Sequence, residues 1–232
     1  MRIIRWLLCV ATVLVVVLAG CSKDKEGITR LNGEDAGALS ANRNRFETAE
    51  DPPLNATSWH AAGQLAESQG AVPAAIERYQ AALKIDPNHR PSLYRLGVLF
   101  AQQSKFPQAI DAWERYVKAS DGDATALSNL GFCYELAGKA ADAEATYKRG
   151  IAADKSSEPC RVNYGLMLAR SGRINEAIVQ LQAVLSPAQV HYNLGSVFEQ
   201  QGKREAAKAE YRKALALDPN ASAVKAKLAA LE

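Results

Sequence analysis

The sequence predicts an all-α protein, an α-solenoid of about five helix-turn-helix repeats followed by a C-terminal capping helix. Glycines recur at intervals of 34, 34, 34 and 30 residues; an alanine follows each glycine after twelve residues, and a large side chain follows each alanine after four. Apolar residues between these positions keep a helical spacing. An internal period of about 34 residues with this register is typical of stacked helical repeats.

The repeated residue types have a physical explanation. A glycine inside a helix costs about 1 kcal/mol relative to alanine, so five recurring helical glycines indicate that a neighbouring helix passes too close for a Cβ atom. We expect the alanine to form the other side of that contact and the large residue to fill the gap beside it. The repeated positions are Gly63, Gly97, Gly131, Gly165 and Gly195; Ala75, Ala109, Ala143, Ala177 and Ala207; and Tyr79, Trp113, Tyr147, Leu181 and Tyr211.

This pattern resembles the tetratricopeptide repeat (TPR) family. The resemblance implies a right-handed superhelix of antiparallel helix pairs, A and B, whose A helices line a concave groove. The fourth repeat lacks four residues, so we expect its B helix to be shortened. The repeats are expected at residues 56–89, 90–123, 124–157, 158–187 and 188–219, and the capping helix at residues 220–232.

The N-terminus has the pattern of an export signal. Two arginines precede fifteen uncharged residues, 6–20. As a helix this run would reach about 22 Å, which is short of the ~30 Å hydrocarbon core of a membrane. The segment Leu18-Ala19-Gly20-Cys21 then resembles the lipobox of bacterial lipoproteins. That resemblance implies a signal peptide at residues 1–20 and lipidation of Cys21; the alternative is an uncleaved anchor helix.

Residues 21–55 are predicted to be the lipidated cysteine and a flexible tether, because their polar composition buries too little surface to offset the entropy of ordering. As a coil the tether would span about 30–35 Å. By resemblance to enterobacterial lipoproteins, Ser22 favours the outer membrane. We therefore expect a periplasm-facing protein in the cell envelope, anchored to a membrane by lipid, with the outer membrane favoured over the inner membrane.

Composition and motifs argue against nucleic-acid binding, catalysis and metal or cofactor binding. With 28 Lys and Arg against 25 Asp and Glu the formal charge is +3, and no five like charges are consecutive, so a nucleic-acid partner is not expected. No catalytic motif, phosphate-binding loop or metal-ligand spacing is present. The sequence thus predicts no enzyme, cofactor, metal or small-molecule substrate. Cys133 and Cys160 are expected to be free, buried thiols, because repeat register separates them by about 10 Å.

The family resemblance implies that a partner binds the fifth, sixth, ninth and twelfth positions of the A helices. In this sequence those positions hold a row of apolar and aromatic residues with asparagines beside them. In the family such asparagines form hydrogen bonds to the backbone of an extended ligand. Chaperone-binding members of the family clamp a ligand's C-terminal carboxylate with lysines at these positions. The first two repeats of this chain have no lysine there. The candidate groove residues are Tyr94, Val98, Asn129, Phe132, Val162, Asn163, Leu166, Tyr192 and Asn193.

These observations predict a membrane-anchored, non-enzymatic adaptor or scaffold that holds a partner protein or peptide in its groove. Two alternatives stay open. The protein is similar in architecture to lipoproteins of this repeat class that help pili or secretins to assemble. It is also compatible with a structural spacer in an envelope complex, whose convex face makes the contacts.

Overall fold

The computed structural model describes residues 54–231, and helices are the regular elements found there. The predicted signal peptide at residues 1–20, the lipidation site Cys21 and all but the last two residues of the predicted tether lie outside the described residues. None of the helices within residues 54–231 is long and apolar enough to cross a membrane.

Within residues 54–231, ten helices form five consecutive pairs and an eleventh follows them, as the predicted fold class requires. Each pair is joined by three residues. The pairs are α1 (Ala56–Ser68) and α2 (Val72–Ile85), α3 (Arg90–Gln102) and α4 (Phe106–Ala119), α5 (Ala124–Leu136) and α6 (Ala140–Ala153), α7 (Glu158–Arg170) and α8 (Ile174–Gln182), and α9 (Pro187–Gln200) and α10 (Arg204–Leu217), with α11 (Ser222–Ala230) last.

The turns within the pairs depend on one left-handed residue each. Glycine, which has no Cβ to clash in this conformation, takes it in four pairs. In the second pair Ser104 adopts a φ of 57° instead, which costs a residue with a side chain about 1–2 kcal/mol. The glycines are Gly70, Gly138, Gly172 and Gly202, with φ between 73° and 84°.

The helical glycines confirm the predicted close approach but correct its partner. A Cβ atom on Gly131 would lie 2.6 Å from Cε1 of Tyr147, and one on Gly165 would lie 2.8 Å from Cγ of Leu181. The large side chain sixteen residues later, not the alanine twelve residues later, therefore occupies the space of the missing Cβ. In the fourth pair the alanine contributes as well, because the backbone oxygen of Ala177 would lie 3.2 Å from that Cβ.

Three clusters of buried apolar side chains run along the solenoid, within α1–α5, α6–α9 and α10–α11. The predicted shortening of the fourth pair is confirmed, because α8 has nine residues where the other second helices have fourteen. The predicted cap is confirmed as well: Val224 of α11 is buried against α10, with Leu228 and Leu231 beside it.

Candidate partner-binding groove

The nine candidate groove residues all lie on the first helices of their pairs. Tyr94 is 37 % exposed, and the other eight are half-buried. Each therefore keeps part of its surface for a ligand. Two further positions of the predicted concave face, Ser128 and Ala169, are only 1 % exposed and belong to the interior.

The apolar members of this row are held by the core beneath them. Val98 packs against the first cluster, and Val162 and Leu166 pack against the second. The ring of Tyr192 lies 5.9 Å from that of the buried Tyr211. Because their inner surfaces are fixed, these side chains present a pre-formed apolar surface, which lowers the entropy cost of binding.

Three glutamates at the twelfth positions of the first, third and fifth repeats are neutralised by bases from later helices. Their carboxylates are between 18 % and 28 % exposed. Each pair links successive first helices, or the last first helix to the cap, and it removes negative charge from the row. The pairs are Glu67 with Arg95, Glu135 with Arg170 at 2.7 Å, and Glu199 with Lys227 at 3.1 Å.

Buried tyrosines extend two of these networks. The hydroxyl of Tyr79 donates to Glu67 at 2.9 Å, and that of Tyr211 donates to Glu199 at 2.6 Å. Burial, reinforced by the hydrogen bond to Glu67, raises the pKa of Tyr79 to about 12. Tyr147 occupies the same position in the third pair, but its hydroxyl has no hydrogen-bond partner among residues 54–231.

Family models of known repeat proteins match this chain. Two family models described as tetratricopeptide repeat match residues 94–158 and 188–221, and one described as TPR repeat matches residues 63–104. The chain is a tetratricopeptide repeat protein. A comparison with curated protein sequences gave no significant match.

Solved structures share the fold at low sequence identity. YrrB, described as a TPR protein with an unusual peptide-binding site, is 22 % identical with a TM-score of 0.55 and covers 80 % of this chain and 96 % of its own. MamA is 24 % identical with a TM-score of 0.58, covering 69 % and 90 %. A thermophilic TPR protein of Thermus thermophilus is 18 % identical with a TM-score of 0.54, covering 76 % and 98 %.

The three asparagines of this TPR groove are not equivalent. Asn163 donates to the hydroxyl of Ser128 at 2.9 Å, and Asn193 donates to the backbone oxygen of Gln189 at 2.9 Å. The side chain of Asn129 makes no hydrogen bond within residues 54–231. A ligand backbone can therefore bond to Asn129 without breaking an existing contact, whereas Asn163 and Asn193 must exchange a partner.

The two cysteines and His191 are held in the fold by burial or by a contact with a neighbouring side chain. Cys133 and Cys160 are buried free thiols, as predicted, and burial raises the pKa of Cys133 to about 11. His191 contacts the carboxylate of Glu210 at 2.6 Å. Within the part of the chain that the structure describes, no group of three His, Cys, Asp or Glu side chains is arranged to hold a metal ion.

The N-terminal end of the groove contains residues that the sequence reasoning missed. A cavity of about 400 Å³ lies beside Tyr94, and Arg90, Arg95 and Tyr116 contribute to its wall. Of these wall residues, the candidate set contains only Tyr94. Arg95 stands at the sixth position of α3, where the family resemblance singles out asparagines, whereas Arg90 stands at the first position and Tyr116 belongs to α4. The available signal was the pair of arginines that flanks Tyr94 in a helix otherwise rich in apolar residues.

Proposed function

We propose that this protein is a non-enzymatic adaptor that binds an extended segment of a partner protein along its first helices. The observation that supports this function is the row of partly exposed apolar side chains, among them Tyr94, Phe132 and Leu166, on three successive first helices. Partly exposed aromatic anchors on rigid elements are typical of protein interfaces. The peptide-binding site in the description of YrrB supports the same function in this fold.

The proposal includes a lipid anchor at Cys21 and a position in the cell envelope, facing the periplasm and favouring the outer membrane. It rests on the sequence pattern around that cysteine. Each buried CH₂ group contributes about 0.8 kcal/mol, so two or three acyl chains hold a protein at a membrane durably. Cys21→Ser should abolish incorporation of labelled palmitate, and unchanged incorporation would contradict lipidation at this residue.

The groove is tested by affinity capture from native envelopes. The groove variant Tyr94→Ser, Phe132→Ser, Leu166→Ser is compared with a control variant in which three exposed apolar residues elsewhere are replaced, after circular dichroism has shown that both are folded. The control residues are Leu65, Val179 and Leu217, each more than half exposed. A partner retained by the wild type and the control but lost by the groove variant is the expected result.

A structural spacer is the second candidate, favoured by exposed apolar residues on second helices. Val179 of α8 is 63 % exposed and Leu217 of α10 is 54 % exposed. If these residues make the contacts, the control variant loses its partners and the groove variant retains them. The same capture experiment therefore separates the two functions.

A further inference from the structure

The cavity at the N-terminal end of the groove combines basic and aromatic side chains. It lies between α1, α3 and α4 and has a volume of about 400 Å³. Its size admits one or two side chains of a bound peptide. The wall consists of His60, Arg90, Pro91, Tyr94, Arg95 and Tyr116.

The charge in this cavity is positive and incompletely balanced. Arg95 is paired with the carboxylate of Glu67. Arg90 lies over the ring of Tyr116, 5.6 Å from its centre, and within residues 54–231 it forms no ion pair. Burial, followed by the nearby His89 and Arg95, lowers the pKa of His60, so protonation of this imidazole is disfavoured. The guanidinium of Arg90 thus remains as an uncompensated cation.

The aromatic side of the cavity is rigid. The ring of Tyr94 meets that of Trp113 edge-on, with centres 5.1 Å apart, and lies 5.8 Å from that of Tyr116. Trp113 is only 2 % exposed and supports the other two rings from below, whereas Tyr94 is 37 % exposed. An apolar side chain of a ligand can therefore stack on Tyr94 without displacing it.

The groove continues beyond the cavity. A second cavity of about 360 Å³ is lined by Gln64, Glu67, Ser68 and Arg95, so Arg95 is common to both. A peptide that occupies the first cavity can therefore continue past Arg95 into the second. This geometry favours an internal segment of a partner over a chain terminus.

We propose that the cavity binds an Asp or Glu side chain, with an adjacent aromatic or aliphatic side chain, in an internal segment of the partner. The carboxylate would accept hydrogen bonds from Arg90, and the apolar neighbour would lie against Tyr94. Arginine suits this role because its planar guanidinium matches a carboxylate. The inference rests on the proposed function and gives the chemistry of one part of its ligand.

The test is selection of peptides on the immobilised full chain, purified in detergent. One library of random dodecapeptides has acetylated N-termini and amidated C-termini, so that only side chains supply carboxylates. A second library has free C-terminal carboxylates. Selected peptides are resynthesised with each acid changed to its amide, and their affinities are measured by fluorescence anisotropy for the wild type, Arg90→Gln and Arg90→Lys. Arg212→Gln, which removes an exposed arginine of α10, is the matched control.

We expect enrichment of an internal acid beside an apolar residue. Arg90→Gln should weaken such peptides about tenfold, as expected for one charge-assisted hydrogen-bonded pair. It should also remove the preference for acid over amide. Arg90→Lys should restore much of that preference, and Arg212→Gln should leave it unchanged.

The other outcomes would overturn the inference in distinguishable ways. Peptides without acids that depend on Phe132 and Leu166 would leave the proposed function intact and exclude the acidic ligand. Enrichment of acids only at free C-termini would exclude an internal segment. If neither library yields a peptide, the proposed peptide-binding function is itself contradicted.

Discussion

Replacing Gly131 by alanine tests how the repeats pack. In an ordinary helix interior this change stabilises a protein by about 1 kcal/mol. Here the new Cβ would lie 2.6 Å from Cε1, 2.8 Å from Cδ1 and 3.0 Å from Cζ of Tyr147. Carbon atoms pack best at about 3.5–4.0 Å, so the overlap approaches 1 Å. The Tyr147 side chain is fully buried.

The expected result is a net loss of stability. Inserting a carbon into a filled core costs about 1–3 kcal/mol, which exceeds or cancels the helix-propensity gain. We expect Gly131→Ala to lower the free energy of unfolding by up to about 2 kcal/mol. With a urea dependence of about 2 kcal/mol per molar, the midpoint should fall by up to about 1 M.

Urea unfolding followed by circular dichroism measures this effect. Thr125→Ala is the control, because it changes an exposed position of the same helix; it should stabilise the protein by about 0.5 kcal/mol. In a Tyr147→Ala background the ring is absent, so Gly131→Ala should then be stabilising. If Gly131→Ala raises the midpoint in the otherwise wild-type protein, the packing explanation of the recurring glycines is wrong.

Three further predictions concern the turns and the buried polar groups. Ser104→Gly should raise the free energy of unfolding by about 1 kcal/mol in urea, because glycine adopts a φ of 57° without strain. Tyr147→Phe should stabilise the protein by up to about 1 kcal/mol by removing an unpartnered buried hydroxyl, whereas Tyr79→Phe should destabilise it by about 1–2 kcal/mol by breaking a bond to a carboxylate. Bonds from Arg173, then Lys148 and Tyr164, lower the pKa of Glu144 from 4.5 to about 2. Its ionised form therefore stabilises the fold above pH 4.5, and this stabilisation is lost as the pH falls towards 2. Acid titrations of unfolding should show the wild type losing about 1 kcal/mol more than Glu144→Gln over that interval.

The repeat architecture could be predicted from the sequence because five copies of one pattern report the same contacts. The partner of the helical glycines could not. Ala143 and Tyr147 are one helical turn apart on the same face of α6, so spacing alone does not determine which one lies nearest to Gly131. The structure shows that the longer side chain reaches across.

The placement of the candidate residues on the first helices of their pairs could also be predicted, but their bonds could not. Arg95 follows Glu67 by 28 residues, whereas Arg170 follows Glu135 by 35. Lys227 also follows Glu199 by 28 residues, so one fixed spacing identifies two of the three bases but not Arg170. The hydrogen bond from Asn163 to Ser128 of the neighbouring helix depends on side-chain orientation, which the sequence pattern does not specify.

Site-specific photocrosslinking in living cells tests most directly whether a partner lies on the first helices. A photoreactive phenylalanine analogue replaces Phe132 in the groove or, as control, Val179, the exposed residue of α8. The groove position should yield a discrete adduct with a partner protein, and the control position should not. Adducts formed at Val179 and absent at Phe132 would contradict the groove and place the interface on the second helices.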